Sequence, residues 1–458
     1  MSQGVVDAAP GVDRSRLAAL SAREAEAFAA ARPRSGELAR RSHGSLLGGV
    51  PMTWMMRWAG PYPLFLAEAH GARVTDVDGH EYVDLCLGDT GAMAGHAPPP
   101  VVRAVAGRAA AGITAMLPTE DAAWAGEELA RRFGLPLWQF TLSATDANRF
   151  AIRLARAVTG RPKILVFNGC YHGTVDETFA TLRTDGSVGV RAGNVGPPVD
   201  PALTTKVVEL NDVDGLEAAL AAGDVACVLA EPALTNIGIV LPEPGFHDAL
   251  RELTRLAGTL LIVDETHTFS AGPGGYTALH GLEPDVLTIG KAIGGGVPVG
   301  AFGVTAELAA RALGQEDADY EDVGGVGGTL AGNALSLAAV RATLGEVLTG
   351  EAFAHMVALG ERLAAGTTAA IAAAGVPWHV TRLGARSEYR FRPDPPRNGG
   401  ESALAGDEEL ESFLHLYALN RGLLITPFHN MALACPATTE ADVDRHAEVL
   451  AGALAELA

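Results

Sequence analysis

The segment DVLTIGKAIGGGVPVG (residues 285–300), read together with TLLIVDETHT (259–268), decides the fold of this chain. Each opens as a short, uninterrupted apolar run and ends on a polar group, TLLIV on Asp264 and DVLTIG on Lys291. A strand with one wet face alternates apolar and polar residues. A continuous run belongs to a strand covered on both faces, as in a parallel sheet under helices. KILVF (163–167) and VACVLAE (225–231) have the same form, and helical stretches separate the runs between residues 101 and 305. The repeated strand–helix–strand order predicts an α/β domain with a mostly parallel central sheet.

Outward from this region the text changes. Residues 64–84, LFLAEAHGARVTDVDGHEYVD, alternate like short strands and carry the turn dipeptide Asp78-Gly79, a hairpin signal. Arg14 to Ala31 reads as an amphipathic helix, a surface or interface arm. From about residue 335 the chain is helical, then strand-like around the loop RPDPPRNGGES (392–402), and ends in the amphipathic ADVDRHAEVLAGALAEL. The expected layout is a helical arm over 1–40, an N-terminal part of a small domain over 41–100, a large domain over 101–335 and a C-terminal small domain over 336–458. The smaller α+β domain is thus built from both chain ends.

With 458 residues the chain is too long for one typical domain, and 48% apolar residues are ample for a large core. Thirty-four basic residues against 54 acidic give a formal charge of −20, which argues against nucleic acid and anionic membranes as partners. No run approaches the ~20 apolar residues of a membrane span. Cys86, Cys170, Cys227 and Cys435 lack CxxC spacing, which suits a reducing cytoplasm, and Cys170 and Cys227 stand in apolar, strand-like text as buried small hydrophobes. The start, MSQGVVDAAPGVDRSRLAALS, lacks the charged-then-apolar pattern of a signal peptide, and no metal site is expected.

Ligands of an open parallel sheet sit at the carboxyl ends of its strands. Asp264 and Lys291 stand at two such ends, and after the strand-like TLS the residues Ser143-Ala144-Thr145 open a helix. In that helix Ala147, Phe150, Ala151, Leu154, Ala155 and Val158 share one face, and Gly160 ends it. A strand-end aspartate is often a cap and a strand-end lysine is usually solvated. But lysine is scarce here, and Lys291 lies between an apolar run and three glycines. A carboxylate, a lysine and a helix start match the needs of pyridoxal 5′-phosphate (PLP). The phosphate wants N–H groups at a helix start, the ring nitrogen wants a carboxylate, and the aldehyde wants an amine. The runs GGGVPVG (294–300) and GGVGGTLAG (324–332) lack GxGxxG spacing between strand and helix, so a nicotinamide cofactor is discounted.

These residues resemble the class III PLP-dependent aminotransferases, and among them the glutamate-1-semialdehyde aminomutase-like branch, over residues 45–450. LSATDAN (142–148) is similar to the family's phosphate loop and NGCYHG (168–173) to its G-x-Y-H-G segment; AEP (230–232), DETHT (264–268), TIGKAIGGG and GTLAGN (328–333) follow in family order. The resemblance implies a type I PLP fold and a homodimer with shared active sites. It places Ser143, Ala144 and Thr145 on the phosphate, Tyr171 and Thr266 on the two ring faces, and Asp264 on the ring nitrogen. It makes Lys291 the Schiff-base lysine and brings Thr329 to the partner's cofactor phosphate. His172 and Glu231 fall among the cofactor residues, and His267 near the cofactor phenol oxygen.

Departures bear on the substrate. Ala144 stands where glycine is usual, Asp146 where glutamate is usual, and Thr266 where an apolar residue is customary. In GGVPMTWMMRWAG (48–60), Trp54 and Arg57 are substrate candidates, the arginine either binding a carboxylate or packing its stem on Trp54 and Trp58. Asp89 occupies a position where aminomutases have an aromatic, and ITPFHNMAL (425–433) offers Phe428 and no arginine. Arg386, Arg390 and Arg392 read as a solvated or inter-strand set, with a carboxylate site as the alternative. The expected activity is ping-pong transamination between an amine or amino acid, β-amino acids and ω-amines included, and a carbonyl acceptor, with Lys291 as general base. An aminomutase, racemase, epimerase or lyase of the same fold is the alternative, and an inactive PLP-binding relative the last.

Overall fold

The computed structural model describes residues 9, 12–312 and 325–458. They form two compact units: residues 99–350 with 396–403, and residues 1–98, 351–395 and 404–458.

The larger unit is built on seven strands: β1 (Leu137–Thr141), β2 (Lys163–Phe167), β3 (Thr205–Val208), β4 (Val225–Ala230), β5 (Leu260–Asp264), β6 (Val286–Ile289) and β7 (Gly300–Val304). Their order across the sheet is β1-β7-β6-β5-β4-β2-β3. β7 runs antiparallel to both neighbours, and the other pairings are parallel. Every residue of β4, β5, β6 and β7 is buried, which is why those runs are mostly apolar; Asp264 and Thr288 are the polar exceptions in β5 and β6. Ile164, Val166, Leu229, Ile262 and Val286 join one core cluster that also takes Cys170 and Cys227. Each such aliphatic side chain contributes about 1.5–3 kcal/mol by leaving water.

β7 sits between β6 and β1 because its residues are small. A Cβ on Gly300 would lie 2.4 Å from the Ser143 carbonyl oxygen, and one on Gly303 2.5 Å from the Trp138 ring. This close packing holds the carboxyl end of β1, and the helix that follows it, beside the ends of β5 and β6. The unit extends past residue 335 because the helix Ala334–Ala342 and the π-turn Thr343–Val347 pack within it; the Arg132 guanidinium donates to the carbonyls of Leu344 and Leu348.

In the smaller unit the helix over Arg14–Ala31 has the expected bounds. It is capped by Asp13 and packs along the helix Glu408–Asn420, with Leu17 and Phe28 buried, so it is part of a core rather than a projecting arm. The strands Leu66–His70, Arg73–Asp76 and Glu81–Asp84 pair in sequence, and the turn between the last two is made by Gly79 at φ 90°. A second sheet orders His379–Leu383, Arg386–Arg390 and Met431–Leu433. The terminal helix Glu440–Leu457 starts in a reciprocal cap between Thr439 and Asp442. Among the described residues no helix is long and apolar enough to cross a membrane, and no cluster of three or more His, Cys, Asp or Glu side chains is placed to hold a metal ion.

Candidate active site

The strands β1, β2, β4, β5 and β6 present their carboxyl ends at one edge of the sheet, and the residues expected to carry chemistry gather there. Asp264 ends β5 and is register partner to Thr288 on β6. Its carboxylate is buried and offers about four lone-pair positions. Oδ2 accepts from Asn148 Nδ2 at 2.8 Å and from His172 Nδ1 at 2.9 Å; Oδ1 accepts the Thr266 N–H at 3.0 Å. Burial drives the pKa of Asp264 up, but His172, Thr266 and Asn148 outweigh burial and hold it below the ordinary carboxylate value. Burial also opposes a charge on His172, yet Cys170 and Asp264 raise its pKa to about 10, so the imidazole is protonated behind the carboxylate.

Asn148 fixes this arrangement. Its Oδ1 accepts the Thr288 hydroxyl at 2.6 Å, so its amide group points at Asp264 and at the His172 carbonyl. Sequence reasoning passed over Asn148 and Thr288. A signal was present: Asn148 is a polar residue on the stripe of its helix that buries Ala151, Ile152 and Ala155.

Lys291 follows Gly290 at the end of β6 with φ 47°, a left-handed backbone that costs a non-glycine residue on the order of 1–3 kcal/mol. Lys163 and Lys206 both pair with Asp224, at 3.2 and 2.6 Å. Lys291 Nζ instead lies 2.7 Å from His267 Nε2.

The helix Ala144–Thr159 begins at the cap Ser143, whose Oγ accepts the Asp146 N–H at 3.2 Å and donates to Asp146 Oδ2 at 2.9 Å. The N–H groups of Ala144 and Thr145 have no acceptor inside the helix and carry the positive end of its dipole. Backbone crowds this helix start. A Cβ on Gly290 would fall 2.9 Å from Ala144 Cβ, and Thr145 Oγ1 accepts the Thr174 N–H.

The Tyr171 N–H donates to Glu231 Oε1, and Glu231 Oε2 accepts the Thr235 N–H and hydroxyl. Burial pushes the Glu231 carboxyl up. His172 and Glu231, grouped above with the cofactor residues, are therefore turned onto protein partners and bear on the site through Asp264 and Tyr171. Thr266 is buried, and its Oγ1 makes no hydrogen bond of normal geometry. Thr329 is exposed in the turn closed by the Ala331 N–H and the Gly328 carbonyl.

Within the smaller unit three of the four substrate candidates meet. The Trp54 and Phe428 rings pack edge to face with centroids 5.8 Å apart, and the Arg57 guanidinium lies 5.7 Å from the Phe428 centroid. Arg57 thus rests on Phe428, while Trp58 packs into a separate cluster with Phe28 and Tyr82. Asp89 has φ 50° and a buried Oδ1. The arginines of the neighbouring strand correct the solvated reading: Arg386 is 0% exposed and Arg390 7%. Arg386, Glu388 and Arg390 share one face of their strand, where Arg390 meets Glu411 at 3.3 Å and Glu388 lies 3.7 Å from His429 Nδ1. Burial, opposed by Arg390 and Arg386 and reinforced by Glu411 and Asp89, raises the Glu388 pKa to about 7.

A carboxyl held protonated by the fold contributes stability that is complete below its unfolded pKa and is lost as pH rises through about 7. The midpoint of thermal unfolding should therefore fall more steeply between mildly acidic and mildly alkaline pH in the native chain than in Glu388→Gln. Equal slopes for the two proteins would refute this reading of Glu388.

The fold and this constellation define a class, and comparison with known proteins agrees. Residues 54–454 match the class III aminotransferase family. The chain belongs to that family and is a PLP-dependent protein of the type I fold. It is 37% identical over 404 residues to a glutamate-1-semialdehyde 2,1-aminomutase of Bordetella avium, covering 86% of this chain and 92% of that protein. A glutamate-1-semialdehyde aminomutase of Pseudomonas aeruginosa, solved as a lysine-to-alanine variant in complex with PMP, superposes with a TM-score of 0.95 at 51% identity, over 98% of this chain and 100% of that one. An omega-transaminase of Sphaerobacter thermophilus superposes with a TM-score of 0.83 at 31% identity, over 92% and 97%.

Proposed function

We propose that this protein is a PLP-dependent aminomutase of the glutamate-1-semialdehyde type, moving an amino group between adjacent carbons of one substrate. The observation that carries it is the convergence of an ionised Asp264, Lys291 and the N-terminus of the helix Ala144–Thr159 at one sheet edge, in a chain 51% identical to an aminomutase over nearly its whole length. Sequence reading placed a two-substrate aminotransferase first; the relatives weigh toward its alternative.

The residues fit the cofactor. Asp264 is a buried carboxylate at the end of β5 whose pKa is held down, and its ionised state favours a protonated ring. Thr266 is buried beside Asp264, with its N–H on Asp264 Oδ1. Ser143, Ala144 and Thr145 would hold the phosphate through the helix start, and Tyr171, anchored by Glu231, would cover the ring. When bound, PLP supplies an electron sink for the bond-breaking steps. The chain's own residues do the rest. Lys291 Nζ is the amine that takes the proton from the substrate carbon and returns it one position along. Asp264 holds the ring proton in place, and His172 keeps Asp264 ionised. A second copy of the chain is the proposed partner, with Thr329 reaching its phosphate.

The two activities differ in product. Offered glutamate-1-semialdehyde alone, an aminomutase converts many equivalents per subunit into the isomer with the amino group on carbon 1. An aminotransferase, taking the substrate's own aldehyde as acceptor, forms the diamine and the dicarbonyl compound in place of that isomer. The diamine and dicarbonyl pair as products would return the assignment to aminotransferase.

A further inference from the structure

We propose that His267 exchanges a proton directly with Lys291 Nζ and so serves as a second acid–base group of the site. The inference rests on the reading of Lys291 given above and adds a role for its neighbour.

His267 follows Asp264 by three residues, where the chain leaves β5, and caps the turn Thr268–Ala271. Its carbonyl accepts from both the N–H and the hydroxyl of Ser270, which pins its backbone. Lys291 is pinned in turn between the extended Gly290 and the turn Lys291–Gly294. From these two anchored positions, at the ends of adjacent strands, the side chains converge to 2.7 Å between Nε2 and Nζ. Both residues are only partly buried, so the contact is not a consequence of close core packing.

An ammonium has three donors and no acceptor, and a neutral imidazole has one of each. At hydrogen-bond distance one proton lies between the two nitrogens. Moving it breaks an N–H bond on Nζ and forms one on Nε2, and the reverse step restores both; no other reactant is required. In water lysine is the stronger base by about four pK units, so transfer to an imidazole is uphill and a histidine at this distance carries the proton only transiently, as a relay. The neighbouring carboxylates are committed elsewhere. Asp264 serves His172, Asn148 and the Thr266 amide. Glu265 takes the Thr268 hydroxyl and the amides of Tyr276 and Thr277. Glu231 serves Tyr171 and Thr235.

The first test needs no cofactor. In apoprotein carrying isotope-labelled histidine, the His267 ring should titrate at least about one pH unit lower in the native chain than in Lys291→Ala, because an adjacent ammonium disfavours the imidazolium. The second reads turnover of the loaded enzyme. His267→Ala should lower kcat by roughly 10²-fold with cofactor content retained, and added imidazole should restore part of it. His267→Gln, which keeps a hydrogen bond but cannot titrate, should be as slow as His267→Ala. A His267 titration indifferent to Lys291, or a His267→Gln variant with native kcat, would overturn the proposal. The apoprotein result stands apart from the assigned reaction, since a chain that retains its colour in Lys291→Ala would fail that assignment while the titration still reports the contact.

Discussion

Lys291→Ala should lose the yellow colour of bound PLP and at least ~10⁴-fold in turnover, while unfolding at nearly the native temperature. The loss follows from the role proposed for Lys291, binding the cofactor aldehyde and moving the proton; a positioned base alone contributes up to about 10⁴. The unchanged stability follows from geometry. Alanine keeps the Cβ and therefore the same left-handed backbone at φ 47°, and what is removed is a partly exposed side chain in contact with His267. Colour and turnover that both survive would end the case for Lys291.

Asp264→Asn should be the second-largest lesion, with kcat down by on the order of 10²–10³-fold, the scale of losing one preorganised electrostatic partner. Asparagine fills the same space but cannot hold a ring proton by charge, and its NH2 group must face a donor that it cannot accept. Asn148 and His172 both donate to Asp264 Oδ2, and His172 owes part of its raised pKa to that contact. The variant therefore leaves a buried imidazolium without its counter-charge, a change that costs about 3–5 kcal/mol when a buried pair is broken. Activity, cofactor retention and thermal stability should fall together. A variant with native turnover and a lower unfolding temperature alone would make Asp264 structural.

How much of this was readable in advance differs by element. β2, β4, β5 and β6 were legible because burial on both faces leaves no room for polar residues, and the sequence records that as unbroken runs. The helix after Ser143 was legible from its apolar stripe and from Gly160, which ends it at φ 69°. The reversed direction of β7 was not. GAFGV is short and small, and its place is set by contacts of Gly300 and Gly303 with Ser143 and Trp138, more than 150 residues earlier in the chain. The strand Arg386–Arg390 was open between a solvated and an inter-strand role, because charges at alternate positions do not say what covers them. Here that face is closed by Glu411 and His429, supplied by a helix and a loop later in the chain. At the site, Lys291 and Asp264 could be picked out by residue type and place. His172, Glu231 and Asn148 owe their roles to the partners they meet, and no local pattern names a partner.

The left-handed backbone at Lys291 also bears on how this enzyme can be engineered. Glycine is the residue that conformation favours. Placing it there relieves roughly 1–2 kcal/mol, part of which is returned as greater freedom of the unfolded chain. A library sorted for heat resistance alone would thus be drawn toward proteins that have discarded their reactive amine. Any campaign to harden this fold has to score turnover in every round, because at residue 291 robustness and chemistry are opposed.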